Sequence, residues 1–443
     1  MKIYFRTFGC QMNVNDSETM AGILKNAGHE IIDTENNADA VIINSCAVRG
    51  KSERKAYGKL GRLKALKKKK NDLIIGFGGC VAEKERKKLL ESHEELNFVF
   101  GTRNISQIND FIERASKGEH FTDFSDKLDE LDSTTPRYRE SNHHAWVTII
   151  YGCDKFCSYC IVPYVRGREK SRKMEDIISE VRKLADNGYK EITYLGQNVD
   201  SYGNDLDDDT SLSKLIKETL KIEGIERIWF LTSYPKDFSE ELIETIASSD
   251  RISKSIHLPI QSGSNKILKA MNRGYTREEY LELISKVKEK LPEASLSTDL
   301  ILGFPGETEN DYLETKELLK IVRYDRVNFA VYSPREGTLS ARKYEDNVPH
   351  KVKTARLNEL LELQKSINQE KNEQYIGKNV EIIVEGVLKD GNLYGRTITN
   401  KIVIFSGPKE LIGEKAEIEI HNISAGPLRG ILSTKNLQPS REH

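Results

Sequence analysis

The sequence predicts an α/β protein in three parts: an N-terminal doubly wound parallel sheet over residues 1–118, a central partial (βα)6 barrel over 143–373, and a small antiparallel β-barrel over 374–443. Three patterns predict it. Short, continuously apolar runs alternate with helical stretches, first over residues 2–116 and again over 146–331. A polar, acidic stretch over 119–142 separates the two blocks and reads as a linker. After Gly377 the helices stop and short strands punctuated by glycine follow.

In the first block the strands are KIYFRTF, AVIINS, LIIGFGG and NFVFG, with helices beginning near Asp16, Lys51, Glu83 and Ile105. Strands that are apolar throughout, rather than alternating, are covered on both faces, as in a parallel sheet between helical layers. The linker carries Asp123, Asp126, Asp129, Glu130, Asp132 and Pro136. WVTIIY, EITYL, ERIWFL, SIHLPI, SLSTDLIL and RVNFAVY form the second block. Right-handed crossovers between six such strands curve them into a partial barrel with its chemistry at the strands' carboxyl ends. A polar helix from about Lys351 to Tyr375, with Leu357, Leu360, Leu361 and Ile367 on one side, closes the block. NVEIIVEGV, NLYGRTI, KIVIFSG, GEKAEIEIHNIS and GPLRGILST supply the five strands of the terminal barrel.

Composition excludes some classes. With 31% charged residues and no apolar run near ~18 residues, a transmembrane protein is not expected. MKIYFRTFGC lacks the apolar core and cleavage site of a secretory signal, so a cytoplasmic protein is expected. In that reducing compartment six cysteines serve as ligands or catalytic thiols rather than as a disulfide framework. A net charge of −1 neither demands nor excludes nucleic acid, since a binding face can be local.

Cys153, Cys157 and Cys160 follow the first strand of the second block in GCDKFCSYC. A short loop can aim these thiolates at one point, and three ligands rather than four suit a 4Fe-4S cluster with one iron open. Zinc closes its site with a fourth Cys or His, and neither occurs in the next twenty positions. Cys10, Cys46 and Cys80 each stand just past a strand of the first block, at intervals of 36 and 34 residues. Equivalent places in successive βα units put all three at the edge where a parallel sheet presents its site. A second cluster is the sharper reading, and incidental core cysteines are the alternative.

TFGCQMNVNDSE, INSCAVRGKSERKA, GGCVAEKE and GCDKFCSYCIVPYVRGRE resemble the methylthiotransferase branch of the radical S-adenosylmethionine (SAM) superfamily. The wording of GCQMN and SCAVR is most similar to the subfamily that acts on isopentenyladenosine in tRNA. The resemblance covers the whole chain and implies an N-terminal cluster-binding domain, a radical SAM domain and an OB-like TRAM domain. It implies that Cys153, Cys157 and Cys160 hold a cluster whose open iron binds SAM. It further implies that Cys10, Cys46 and Cys80 hold a second 4Fe-4S cluster, the source of the sulfur that is methylated and inserted at carbon 2 of adenine. The implied substrate is tRNA carrying N6-isopentenyladenosine at position 37, and the implied partner an electron donor such as flavodoxin or ferredoxin. A monomer without membrane contact is expected. Related substrates are threonylcarbamoyladenosine of tRNA or a ribosomal protein; the reading from another class is a non-catalytic iron-sulfur carrier or scaffold.

Further positions follow from the same resemblance. Phe156 and Tyr159 match places beside the cluster and the SAM adenine, or are core aromatics. Gln197 and Asn198, after the second strand, are candidates for the SAM amino group. Ser233, Gln261 and Asp299 fall at or near other strand ends. Residues 51–70 hold ten basic side chains against Glu53, with Lys51, Arg54 and Lys55 at their start; Arg166, Arg168 and Arg172 form a second group. Both suit RNA phosphates, and a solvated helix face is the plainer account of the first. From Ile376 onward the balance is only +1, so RNA contact there rests on shape and on aromatics such as Tyr394 and Phe405, unless these are core.

Overall fold

The computed structural model describes residues 1–48, 50–129 and 131–433; Arg49, Glu130 of the linker, and the end of the terminal unit from residue 434 lie outside the described residues. Among the described residues the N-terminal sheet has six parallel strands: β1 (Lys2–Thr7), β2 (Glu30–Ile31), β3 (Ala40–Ser45), β4 (Ile74–Gly79), β5 (Phe98–Phe100) and β6 (Phe121–Asp123), in the order β2-β1-β3-β4-β5-β6. Every residue of β3 and β4 is buried, as their uninterrupted apolar sequence demands. Alternate β3 side chains serve opposite faces. Ile42 packs with Met20, Leu24, Phe111 and Ile112 of α1 (Gln11–Asn26) and a later helix, Ile108–Ser116. Val41 and Ile43 pack on the other side with Leu60 and Leu63 of α2 (Gly50–Lys67) and Val81 of α3 (Cys80–Glu85).

Two features differ from expectation. The segment Phe121–Asp123, read as linker, pairs with β5 and completes the sheet edge. α1 begins at Gln11 rather than near Asp16, because its first turns bury Asn13, Asn15, Asp16 and Ser17. Such residues carry no apolar periodicity: Asn13 and Ser17 bond to Asn44 of their own sheet, while Asn15 Nδ2 donates to Thr148 Oγ1 of the next domain at 2.9 Å.

In the central unit β7 (His144–Thr148) leads into β8 (Ile150–Tyr151), which forms a small antiparallel pair with β9 (Lys170–Ser171). Then come β10 (Glu191–Leu195), β11 (Arg227–Phe230), β12 (Ser255–His257), β13 (Ser295–Leu302) and β14 (Arg326–Val331). The parallel trios β7-β10-β11 and β12-β13-β14 are joined by a single bridge, Ile228 to Ile252, giving an open, curved six-strand barrel. Val147, Ile192, Ile228, Ile256 and Leu300 fill its core with Val181, Leu215 and Ile284 from the surrounding helices.

The terminal unit is a closed barrel of β15 (Asn379–Val387), β16 (Leu393–Arg396), β17 (Ile402–Ser406), β18 (Lys415–Asn422) and β19 (Leu428–Leu432), ordered β15-β16-β17-β19-β18. The antiparallel expectation needs one correction: β17 and β19 run parallel. Strand directions cannot alternate all the way round a ring with an odd number of strands, so one like-directed pair is forced. Phe405 lies in this barrel's core and is unavailable to RNA, whereas Tyr394 is half-buried. The barrel docks on the amino ends of the central strands. Lys254 N donates to Ile398 O at 3.0 Å, Arg227 Nη1 to Arg396 O at 2.7 Å, and Lys190 pairs with Glu414.

The segment between the first two units is a strap tied by charge. Buried Glu180 accepts from Arg139 Nη2 at 2.9 Å and from Arg172 Nη1 at 2.8 Å, with Arg137 Nη1 at 3.5 Å; Arg139 Nη1 also reaches Glu18 of α1 at 3.4 Å. Burial alone would raise the Glu180 carboxyl, but the guanidiniums of Arg137, Arg172 and Arg139 hold it below its ordinary range. Its contribution is therefore present above the usual carboxylate pKa and is lost on acidification through the lowered value. Glu180→Ala leaves these cations uncompensated and should cost about 3–5 kcal/mol in chemical denaturation. Lys217→Ala, which breaks an exposed pair with Glu241, should cost less than about 1 kcal/mol. Equal effects would rule out the strap as a clamp.

Candidate active site at two cysteine triads

The first triad forms where the N-terminal sheet reverses its strand order, between β1 and β3. Cys10 caps the start of α1, Cys46 directly follows β3, and Cys80 is the first residue of α3. Cys10 is exposed at the rim while Cys46 and Cys80 are buried, and none is in a disulfide. Their floor is polar: Asn13 Nδ2 donates to Asn44 Oδ1 at 2.9 Å, and Asn44 Nδ2 returns to Asn13 O at 2.9 Å and to Ser17 Oγ at 3.0 Å. Two glycines admit this packing. At Gly9 a Cβ would stand 2.8 Å from Cys46 Cβ, and Gly79, with φ +87°, would drive one into Asn44 Oδ1.

The thiols sense one another. The neighbouring Cys46 thiol and the field of Arg166 lower Cys10 to about 6; Cys10 and burial push Cys46 upward, and burial raises Cys80 against the opposing pull of Arg166. Such a site holds one thiolate readily and releases further protons as a metal group takes the others.

The second triad lies on the loop between β8 and β9. Gly152, at φ +71°, has no room for a Cβ against Arg168 O, and Cys153 N donates to Gly167 O at 3.1 Å, so the loop closes on itself. Burial pushes Cys153 and Cys160 up to about 12, and each also feels Cys157. Arg273, absent from the sequence-based candidates, is buried here and donates to Cys157 Sγ at 3.2 Å and to Pro259 O at 2.6 Å, stacked 4.6 Å from the Tyr234 ring. It sits in MNRGYT, off any strand end and without periodicity, so no sequence pattern marks it.

The expected site residues divide. Tyr159, Gln261 and Asp299 line one cavity of about 780 Å³ with Cys160, together with Val48 and Gly50 from just beyond Cys46. Gln261 takes φ +79° to bridge to β13, and Asn328 Nδ2 donates to Asp299 Oδ1 at 2.8 Å. Asn198 Nδ2 donates to Asp237 Oδ2 at 2.7 Å, and Ser233 Oγ to Asp200 Oδ1 at 3.0 Å. Gln197 Oε1 and Asn198 Oδ1 are buried without a donor. Phe156 turns outward at the loop tip, 37% exposed at φ +44°, edge-on to Tyr164.

The basic candidates need correction. Arg166 and Arg172, expected to meet phosphates, are buried: Arg166 Nη2 lies 2.7 Å from Asp16 Oδ2, and Arg172 is held by Asp176 at 2.6 Å and by Glu180. A charge run in sequence does not disclose carboxylates supplied from elsewhere in the fold. Arg168 is exposed but gripped by both oxygens of Asp154, at 2.6 and 3.0 Å. Lys51, Arg54 and Lys55 do lie on the exposed side of α2.

Among the described residues no group of three or more His, Cys, Asp or Glu is arranged to hold a single metal ion. Zinc draws its thiolates to one centre at ~2.3 Å, whereas a cubane takes each on a separate iron. Three coupled thiols without a fourth ligand, twice over, fit the latter. Gly79→Ala should misplace Cys80 and cut iron uptake on anaerobic reconstitution by about half, from ~8 to ~4 per chain. Full uptake would show that the turn does not position the thiol.

Three family models match the chain: Uncharacterized protein family UPF0004 over residues 2–101, the Radical SAM superfamily over 147–319, and the TRAM domain over 373–432. The chain is 56% identical over 430 residues to the tRNA-2-methylthio-N(6)-dimethylallyladenosine synthase of Thermotoga petrophila, covering 97% of this chain and 96% of that protein. The protein of the same name from Pseudothermotoga lettingae is 52% identical over 435 residues, with 98% and 99% covered. Among solved structures, the radical S-adenosylmethionine methyltransferase TsrM from Kitasatospora setae superposes with a TM-score of 0.55 at 12% identity, covering 77% of this chain and 74% of that one. At that identity the likeness shows the fold. With two relatives above half identity over nearly the full length, the chain belongs to the radical SAM methylthiotransferases, in the family of tRNA-2-methylthio-N(6)-dimethylallyladenosine synthases (MiaB).

Proposed function

We infer that the protein is a tRNA methylthiotransferase, adding sulfur and a methyl group at carbon 2 of N6-isopentenyladenosine, position 37. The observation that carries this reading is one cavity bordered by both cysteine-bearing domains: Cys160 and Tyr159 on one side, Val48 and Gly50, next to Cys46, on the other. In this reading the units are an N-terminal domain over 1–123, which includes the edge strand β6, a strap over 124–142, a radical SAM domain over 143–373 and a TRAM domain over 374–443.

Cys153, Cys157 and Cys160 hold one 4Fe-4S cluster with an iron left for SAM, and Cys10, Cys46 and Cys80 hold the other. When bound, these groups supply a 5′-deoxyadenosyl radical from SAM and the sulfur for the base, chemistry that a carbon–hydrogen bond too weakly acidic for a side-chain base requires. The chain's own residues position and shield. Arg273 neutralises charge beside Cys157. The unpaired oxygens of Gln197 and Asn198 suit the ammonium of SAM, since a buried acceptor without a donor is costly until a ligand satisfies it. Ser233 acts through Asp200, and Phe156 guards the loop mouth. Tyr159, Gln261 and Asp299 face the adenine from the cavity wall. Lys51, Arg54 and Lys55 meet RNA phosphates. A flavodoxin or ferredoxin supplies the electron, and the enzyme acts as a cytoplasmic monomer.

The test is anaerobic incubation with SAM, reductant and isopentenylated tRNA, read by nucleoside mass spectrometry. A SAM-dependent methylthio adduct is expected. 5′-Deoxyadenosine without the adduct would redirect the search to threonylcarbamoyladenosine or a ribosomal protein, and neither product from a fully clustered chain would favour an iron-sulfur carrier. Cys157→Ala should abolish SAM cleavage, while Cys46→Ala should keep cleavage and lose the adduct; loss of cleavage in both folded variants would overturn the division of labour.

A further inference from the structure

Arg166 belongs to the central domain by sequence and to the N-terminal triad by position. It ends a five-residue helix, Val162–Arg166, that begins two residues after Cys160. That helix is embedded in the neighbouring domain. Ile161 and Val165 pack with Ala47, Cys80, Val81 and Ala82, and Thr102 Oγ1 donates to Val165 O at 2.8 Å. Gly167, at φ +85°, turns the chain where a Cβ would strike the Arg103 guanidinium.

The Arg166 and Asp16 side chains are 5% and 4% exposed, and Nη2 stands 2.7 Å from Asp16 Oδ2. Nη2 carries two N–H groups, and beyond this carboxylate it meets no other acceptor among the described residues. An ion pair so placed gives little net stability, because removing both charges from water costs about as much as their attraction returns. Its position supplies a reason for it. Asp16 lies on α1 less than two turns beyond Cys10, and Val165, the neighbour of Arg166, packs in one cluster with Cys80. Three thiolates round a cubane would concentrate negative charge beside the packed apolar side chains of Val81 and Ala82, where a fixed cation with an N–H to spare is worth most.

We propose that Arg166 is the positioning residue of the second cluster: its free N–H donates to sulfur held at the Cys10 and Cys80 side, its charge raises that cluster's reduction potential, and Asp16 orients the guanidinium. The proposal rests on the reading that Cys10, Cys46 and Cys80 hold a cluster. A cation stabilises the reduced, more negative state, and an anion opposes it. Arg166 and Asp16 should therefore shift the potential in opposite directions.

The experiment is a redox titration of the anaerobically reconstituted full chain followed by electron paramagnetic resonance, the second cluster being the signal that added SAM leaves unperturbed. Arg166→Gln should lower its midpoint, Asp16→Asn should raise it, and Arg166→Lys should stay near the unaltered value with an altered line shape. An unchanged midpoint in Arg166→Gln at full iron content would overturn the proposal. So would shifts of one sign in Arg166→Gln and Asp16→Asn, which would indicate only loosened packing. Should Arg166→Gln fail to retain the cluster, Arg166→Lys and Asp16→Asn decide the matter by the same signs. Iron at ~4 rather than ~8 in the unaltered chain would instead remove the two-cluster reading itself.

Discussion

The buried carboxylate of Glu180 joins three segments of chain through directed charge contacts. It receives Arg137 and Arg139 from the strap and Arg172 from the barrel, and Arg139 carries the connection on to Glu18 of α1. Apolar surfaces resist separation but tolerate sliding, whereas directed bonds among buried charges hold one register. α1 starts at Cys10, and Arg172 lies twelve residues past Cys160. The network therefore sets the relation between the two domains that border one cavity, although it touches neither triad.

Each triad combines a covalent spacing with a nearby buried guanidinium. Arg273 contacts Cys157 directly, and Arg166 stands by Cys80 and Cys10. The thiols arrive by different routes: one set on a loop closed by Gly152 and Gly167, the other on strand-to-helix turns that depend on Gly9 and Gly79. A loop places its ligands from local sequence alone. The strand-end set requires the whole sheet to fold first, because its members come from β1, β3 and β4.

What was legible in the sequence followed from periodicity and from rare residues at repeated places. The central strands of both sheets read as apolar runs, and six cysteines at or just past strand ends mark both triads. Illegible parts were those where polar residues are buried. The first turns of α1 carry no apolar period because Asn13 is buried against Asn44 while Asn15 and Asp16 face another domain, and Arg166 read as phosphate-binding because its partner Asp16 is distant in sequence. Arg273 had no signal at all. The like-directed pair in the terminal barrel was deducible from five strands and closure alone, but closure itself depends on tertiary packing.

The terminal barrel sits at the foot of the central strands, while the cavity opens at their other end. β13, the longest strand of that wall at eight residues, spans about 26 Å at roughly 3.3 Å per residue. The terminal barrel and the Cys160 rim of the cavity are thus held apart by a rigid post.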